Sequence, residues 1–93
     1  MNFLDLLNAV ARVAKPMHQD FKPIDSLDVQ FKDTEIDSLD GLLILMYMCM
    51  IYDIDDSVAK EFHPATPQQL LDFIEANKKR DPESIEAAVE MIK

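Results

Sequence analysis

One glycine in 93 residues is the tightest constraint on this chain. Hairpin turns call for residues at positive φ, which glycine adopts most cheaply. A chain with one glycine therefore cannot close the many tight turns of a β-sandwich or barrel. Helices need no such turns, and five prolines supply the punctuation instead. A hydrophobic fraction of 48% is enough for a packed core and excludes disorder by composition. The length fits one small domain, which is marginal unless its core packs well. A single cysteine excludes an intrachain disulfide and fits a reducing compartment.

Charge narrows the partners. Lys+Arg is 9 against Asp+Glu 18, a net charge of −9. Nucleic acid and anionic membrane surfaces repel such a chain. A basic patch on another protein is its natural counterpart. The start Met1-Asn2-Phe3-Leu4-Asp5 lacks the basic region of a secretory signal. The longest apolar run, Leu42 to Tyr52, is too short to span a bilayer. A cytoplasmic monomer that does not span a membrane is expected.

Periodicity lays out the elements. Phe3, Leu6, Leu7, Val10, Val13 and Ala14 repeat at three and four, predicting a helix over 2–15 with Asn2 as cap and Pro16 as stop. Residues 16–37 have no sustained period and read as a long loop, anchored by Ile24, Leu27, Val29 and Phe31. Residues 38–52 form the second helix. An acidic, broken stretch follows over 53–65, with one helical turn expected at Ser57–Phe62. Thr66-Pro67-Gln68-Gln69 is a capping-box start for a helix to Lys79, with Leu70, Leu71, Phe73 and Ile74 apolar. Lys78-Lys79-Arg80 complements that helix's own dipole. Asp81-Pro82-Glu83 opens a last helix over 82–93, with Ile85, Ala88, Val89 and Ile92 on one stripe. The fold class is all-α, a helical bundle with one long loop between its first two helices.

Ile24-Asp25-Ser26-Leu27-Asp28 recurs twelve residues later as Ile36-Asp37-Ser38-Leu39-Asp40. Two copies at so short a period make no solenoid. The first copy reads as loop and its Ser26 as unmodified. The second stands directly before the apolar helix and puts Ser38 at or next to the helix cap. Helix N-termini present unpaired N–H groups and partial positive charge, a favourable field for a phosphate esterified to Ser38. Asp37 and Asp40 flank the serine and could hold a divalent metal or a basic partner residue during phosphoryl transfer. From these residues alone the plainer reading also stands: Ser38 as a cap and Asp40 as a complement to the dipole.

The wider segment Phe31-Lys32-Asp33-Thr34-Glu35-Ile36-Asp37-Ser38-Leu39-Asp40 resembles the signature of the acyl carrier protein family: an aromatic residue, an acidic stretch, then Asp-Ser-Leu opening the second helix. The resemblance continues through Tyr52-Asp53 to Leu71-Asp72-Phe73-Ile74. It gives residues 1–80 as the carrier domain and leaves 81–93 as an additional C-terminal helix. It implies an acyl-carrier-like four-helix bundle in which Ser38, set among Asp37, Leu39 and Asp40, receives 4'-phosphopantetheine from coenzyme A. A Mg-dependent phosphopantetheinyl transferase would attach it. Acyl-loading and acyl-transfer enzymes are the implied further partners, and the carrier itself catalyses nothing. By position, Leu42, Ile44, Leu45, Met48 and Tyr52 face an acyl-chain cavity, completed by Phe3, Leu7, Leu70 and Ile74. Plain core is the simpler reading for most of these side chains.

Two departures qualify the resemblance. The family's glycine two residues before the motif Asp is here Glu35. The family's acidic face of the second helix is here Leu43, Cys49, Met50 and Ile51, with Met46 and Tyr47 beside them. A helix apolar all round must be buried or engaged on every side. Partial cover by the C-terminal helix together with a dedicated partner is the expectation, with Leu43, Met46, Tyr47, Met50 and Ile51 as partner-binding residues. This points away from standard fatty-acid synthesis, toward a specialised lipid, lipopolysaccharide or polyketide pathway. An aminoacyl or peptidyl carrier is the nearest alternative. An unmodified helical interaction module is the alternative from another class.

Other candidates are weak. Cys49 has no His or Lys one turn away to activate it, so it reads as a packed thiol. His18 and His63 share no metal-ligand spacing and read as loop or surface residues. Asp53, Asp55 and Asp56 lack the glycine and terminal glutamate of a calcium loop and read as a solvated acidic turn.

Overall fold

The computed structural model describes residues 2–14, 22–34 and 36–93. Among them the chain is all-helical, with no strand. The helices are α1 Phe3–Ala14, α2 Ser38–Tyr52, α3 Asp56–Ala59, α4 Pro67–Asn77 and α5 Ile85–Ile92, and a 3₁₀ turn at Phe31–Asp33 precedes α2. No helix among the described residues is long and apolar enough to cross a membrane. The expected stop at Pro16, the placement of His18 and the departure at Glu35 lie outside the described residues.

Local chemistry accounts for the helix ends. The Leu4 N–H donates to Asn2 Oδ1 at 2.8 Å and starts α1, which buries Leu6, Leu7, Val10 and Ala11. Thr66 Oγ1 accepts from the Gln69 N–H at 3.2 Å, and Gln69 Oε1 accepts from the Ala65 N–H at 2.8 Å. This is a capping box displaced by one residue, with Pro67 in the first turn of α4. α4 ends at Asn77, two residues short of the expected Lys79. α5 begins at Ile85, not at Pro82, because the Ser84 hydroxyl accepts from the Ala87 N–H at 3.0 Å and takes the cap. α3 is one short turn beginning at Asp56, one residue earlier than expected. Asp55 caps it: the Ser57 N–H and hydroxyl both donate to Asp55 Oδ1, at 2.9 and 2.8 Å, and hold its carboxyl below the usual range.

α2 is the central element and packs against α1, α3, α4 and α5, while α5 also packs on α1. Ala88 and Ile92 of α5 join the same buried cluster as Leu6, Met48, Ile51 and Ile74. The segment between α1 and α2 is tied to this core at several points. Asn8 holds Ile24 twice: Nδ2 donates to the Ile24 carbonyl at 2.8 Å, and Oδ1 accepts from the Ile24 N–H at 2.7 Å. The Phe31 N–H donates to the Ala65 carbonyl at 2.8 Å, and the Gln68 N–H to the Leu27 carbonyl at 3.0 Å. Ile24 is buried, and Leu27, Val29 and Phe31 are half-buried, so the anchors sit on the core as their apolar character requires.

The C-terminal end of α2 is closed completely. Its last four carbonyls belong to Cys49, Met50, Ile51 and Tyr52. Cys49 accepts from the N–H groups of Asp53 and Ile54, the latter at 2.9 Å, with Asp53 in the left-handed region at φ 56°. Arg80 donates through Nε to the Ile51 carbonyl at 3.1 Å and through an Nη to the Met50 carbonyl at 2.7 Å. The Lys79 N–H donates to the Tyr52 carbonyl at 3.0 Å. The basic run after α4 was expected to serve its own helix; Arg80 instead serves the end of α2. Lys78 caps α4 through its backbone N–H and pairs its ammonium with Asp81 at 2.8 Å and Glu75 at 3.3 Å.

Candidate functional site at the start of α2

The segment before α2 is shaped by Thr34. Its hydroxyl donates to the Phe31 carbonyl at 2.7 Å and accepts from the Ile36 N–H at 3.1 Å. Ile36 then turns into the core, 4% exposed. Asp37 follows as the N-cap: its Oδ1 accepts from the Asp40 N–H at 2.8 Å, and its carbonyl accepts from the Gly41 N–H at 2.9 Å. Ser38 is therefore the first helical residue and not the cap. Its side chain is exposed, and among the described residues its hydroxyl has no hydrogen-bond partner. The N–H groups of Ser38 and Leu39 likewise have no acceptor among the described residues, as a helix start leaves them.

Ser38 stands on the rim of a groove of about 640 Å³, a volume in the range of small-molecule sites. Its apolar walls are Phe31, Ile36, Leu42, Ile44, Leu45, Phe62 and Leu70. Lys32, Thr34, Asp37, Ser38 and His63 form a polar lip. One wall is held by the bond from Phe31 to Ala65, the other by Phe62, stacked on Phe73 with ring centroids 4.2 Å apart. A polar lip carrying one lysine and one aspartate over an apolar trough suits an amphipathic ligand with its polar end at Ser38.

The structure sorts the expected cavity residues. Leu42, Ile44, Leu45 and Leu70 line the groove. Leu42 does not face the core, being 52% exposed at the groove's edge: it lies three residues after Leu39 and four before Met46, on the outer side of the helix. Met48 and Ile74 are fully buried core side chains and do not line the groove. Tyr52 and Leu7 are buried, and Phe3 is half-buried. Besides Gly41 of α2, the groove residues missed from the sequence are Phe31, Ile36, Phe62, Pro64 and the lip residues Lys32, Thr34 and His63. Apart from that glycine, all come from the connections flanking α2 and α3, where no period signals a shared face.

The expected partner face also divides. Met46 and Met50 are each 49% exposed, and Leu43 and Tyr47 are half-buried. Ile51 is fully buried and cannot serve as a docking residue. Helix geometry explains this: Ile51 lies three residues after Met48 and seven after Ile44, on the core side. Cys49, four residues after Leu45, is buried for the same reason. Burial pushes its thiol above the ordinary value, and Asp56 adds to the shift, which disfavours the thiolate. Tyr52 is pushed up by burial and by Asp81.

The remaining polar candidates have structural roles. Ser26 Oγ accepts from the Asp28 N–H at 3.1 Å within the loop, and no helix opens at it. Asp53 and Asp55 terminate α2 and cap α3. Among the described residues, no group of three or more His, Cys, Asp or Glu side chains is arranged to hold a metal ion. No protein-family model, no curated protein and no solved structure matches the chain.

Proposed function

We propose that the chain is an acyl carrier protein whose Ser38 hydroxyl bears 4'-phosphopantetheine. The observation that carries the reading is the position of that hydroxyl. Asp37 does the capping, so Ser38 is left exposed at the first turn of a 15-residue helix, on the rim of an apolar groove. The residues fit the group. A phosphodiester on Ser38 would stand in the field of the α2 N-terminus, near the N–H groups of Ser38 and Leu39, which have no acceptor among the described residues. Lys32 on the same rim offsets the charge of Asp37. Leu42, Ile44, Leu45 and Leu70 offer apolar surface to a chain folded back into the groove. The thiol of the bound group supplies the chemistry, holding acyl groups as thioesters. On this reading the fold is an acyl-carrier-like bundle with α5 added, the transferase and acyl-handling enzymes are the partners, and a specialised lipid pathway is the setting.

The test is intact mass after incubation with coenzyme A, Mg²⁺ and a broad-specificity phosphopantetheinyl transferase. Wild type should gain one phosphopantetheine and Ser38→Ala none. A helical interaction module without modification is the second reading, favoured by the apolar outer side of α2. It predicts no gain on folded wild type and unchanged function in Ser38→Ala.

A further inference from the structure

Three methionines alternate along α2, and the fold treats them unequally. Met46 and Met50 are each 49% exposed, whereas Met48 between them is 0% exposed. Helix geometry sets the difference. Met46 and Met50 are four residues apart and share a face, and Met48, two residues from each, points to the opposite side. There it joins the buried cluster with Leu6, Ile74 and Ile92. Met46 and Met50 belong neither to that cluster nor to the partly buried side chains packed against it. From Leu42 to Met50 no side chain on α2 is charged, so the two exposed thioethers and Leu42 set the polarity of the outer face.

The one thiol on the helix is arranged the other way. Cys49 is buried, and burial together with Asp56 disfavours its thiolate, the form an oxidant attacks. An oxidant reaching α2 therefore meets a thioether before it meets a thiolate. Oxidation to the sulfoxide turns a flexible apolar side chain into a polar one. In a core that change disrupts packing. At Met46 and Met50 the new S=O group projects into water, and Met48 keeps its place among the buried side chains.

We propose that Met46 and Met50 form a reversible oxidation site, at which a peroxide switches the outer face of α2 from apolar to polar while the core stays closed. In the forward step one peroxide oxygen bonds to the thioether sulfur and the O–O bond breaks. The sulfur gives up two electrons, and the peroxide is reduced to water. In the return step a methionine sulfoxide reductase, one for each sulfoxide epimer, removes the oxygen as water and oxidises two of its own thiols to a disulfide. Neither step involves Ser38, so the inference stands apart from phosphopantetheine attachment.

The test uses the full unmodified chain, with dilute hydrogen peroxide as the probe. Peptide mass mapping over time should show one oxygen on Met46 and one on Met50 at least about tenfold faster than any on Met48 or Cys49. The circular dichroism spectrum should be unchanged, and the oxidised chain should elute earlier from a hydrophobic-interaction column. The two sulfoxide reductases, supplied with a dithiol, should restore both mass and retention. Met91 of α5 is 37% exposed and also takes up oxygen, so retention is measured on Met91→Leu. Adding Met46→Leu and Met50→Leu keeps the face apolar without an oxidisable sulfur and should remove most of the retention shift. Oxidation of Met48 as fast as of its neighbours, loss of helix content, or failure of the reductases to act on the folded chain overturns the proposal. So does the absence of a retention shift, or a shift that survives the added substitutions, which places the responsive methionine elsewhere in the sequence.

Discussion

The two ends of α2 are built to opposite specifications. At Tyr52 all four terminal carbonyls have donors, two of them the guanidinium N–H groups of Arg80, 29 and 30 residues away in sequence. At the other end Asp37 accepts from the Asp40 N–H, and the amides of Ser38 and Leu39 and the serine hydroxyl have no partner among the described residues. The closed end is a joint that fixes α2 to the connection between α4 and α5. The open end is the one at which the proposed phosphopantetheine would be attached. A helix that needed only stability would close both ends, since each unsatisfied group forgoes a bond worth about 1 kcal/mol.

The sharpest way to break the contrast is to truncate one apolar side chain at each end. Ile51→Ala should cost about 2–5 kcal/mol by urea unfolding, whereas Leu39→Ala should cost less than about 0.5 kcal/mol. Similar losses at both positions would erase the distinction. Arg80→Ala comes next, at about 1–2 kcal/mol, the range set by the guanidinium's partial exposure. A neutral result would show that water caps the Met50 and Ile51 carbonyls as well as Arg80 does.

Alkaline pH should act on the same closed half. Cys49 and Tyr52 both have folded pKa values raised above the unfolded ones, so their contribution is complete at neutral pH and is lost as pH climbs past about 9. Denaturant midpoints measured across that window should fall, and Cys49→Ala should flatten the early part of the fall. An unchanged slope would mean the thiol ionises without leaving the core. The smallest effect belongs to the open end. Gly41→Ala should stabilise by about 0.5–1 kcal/mol, because the added Cβ meets only Ile36 Cγ2 at 3.9 Å. A loss of stability there would show that the first turn of α2 needs glycine after all.

Much of this was legible in the residues because local chemistry decides it. Asn2 and Thr66 with Gln69 mark helix starts through short polar side chains near free N–H groups, whereas at α2 the cap is Asp37 and not the Ser38 that the plainer reading named. Asp81-Pro82 misled for the same reason: it is also a plausible start, and Ser84 three residues on won the competition. The outer side of α2 was harder to read. A helix apolar on every side has no hydrophobic asymmetry, so only its neighbours set which side is buried: Ile51, assigned to the partner face, is buried, and Leu42 lines the groove from an exposed edge. The groove was least visible, because Phe31, Phe62 and His63 meet through tertiary contacts between connections. Arg80 belongs with them, since its partners lie in another helix.

The repeated Asp-Ser-Leu-Asp provides an internal control for the central claim. Ser26 and Ser38 have the same immediate neighbours, but only Ser38 opens a helix at the groove. The decisive measurement is peptide-level mass mapping of the chain after transferase treatment, scoring both serines in one sample. The account predicts that phosphopantetheine is found on the Ser38 peptide and that the Ser26 peptide is unmodified. Modification of Ser26, or of neither serine in folded protein, would contradict it.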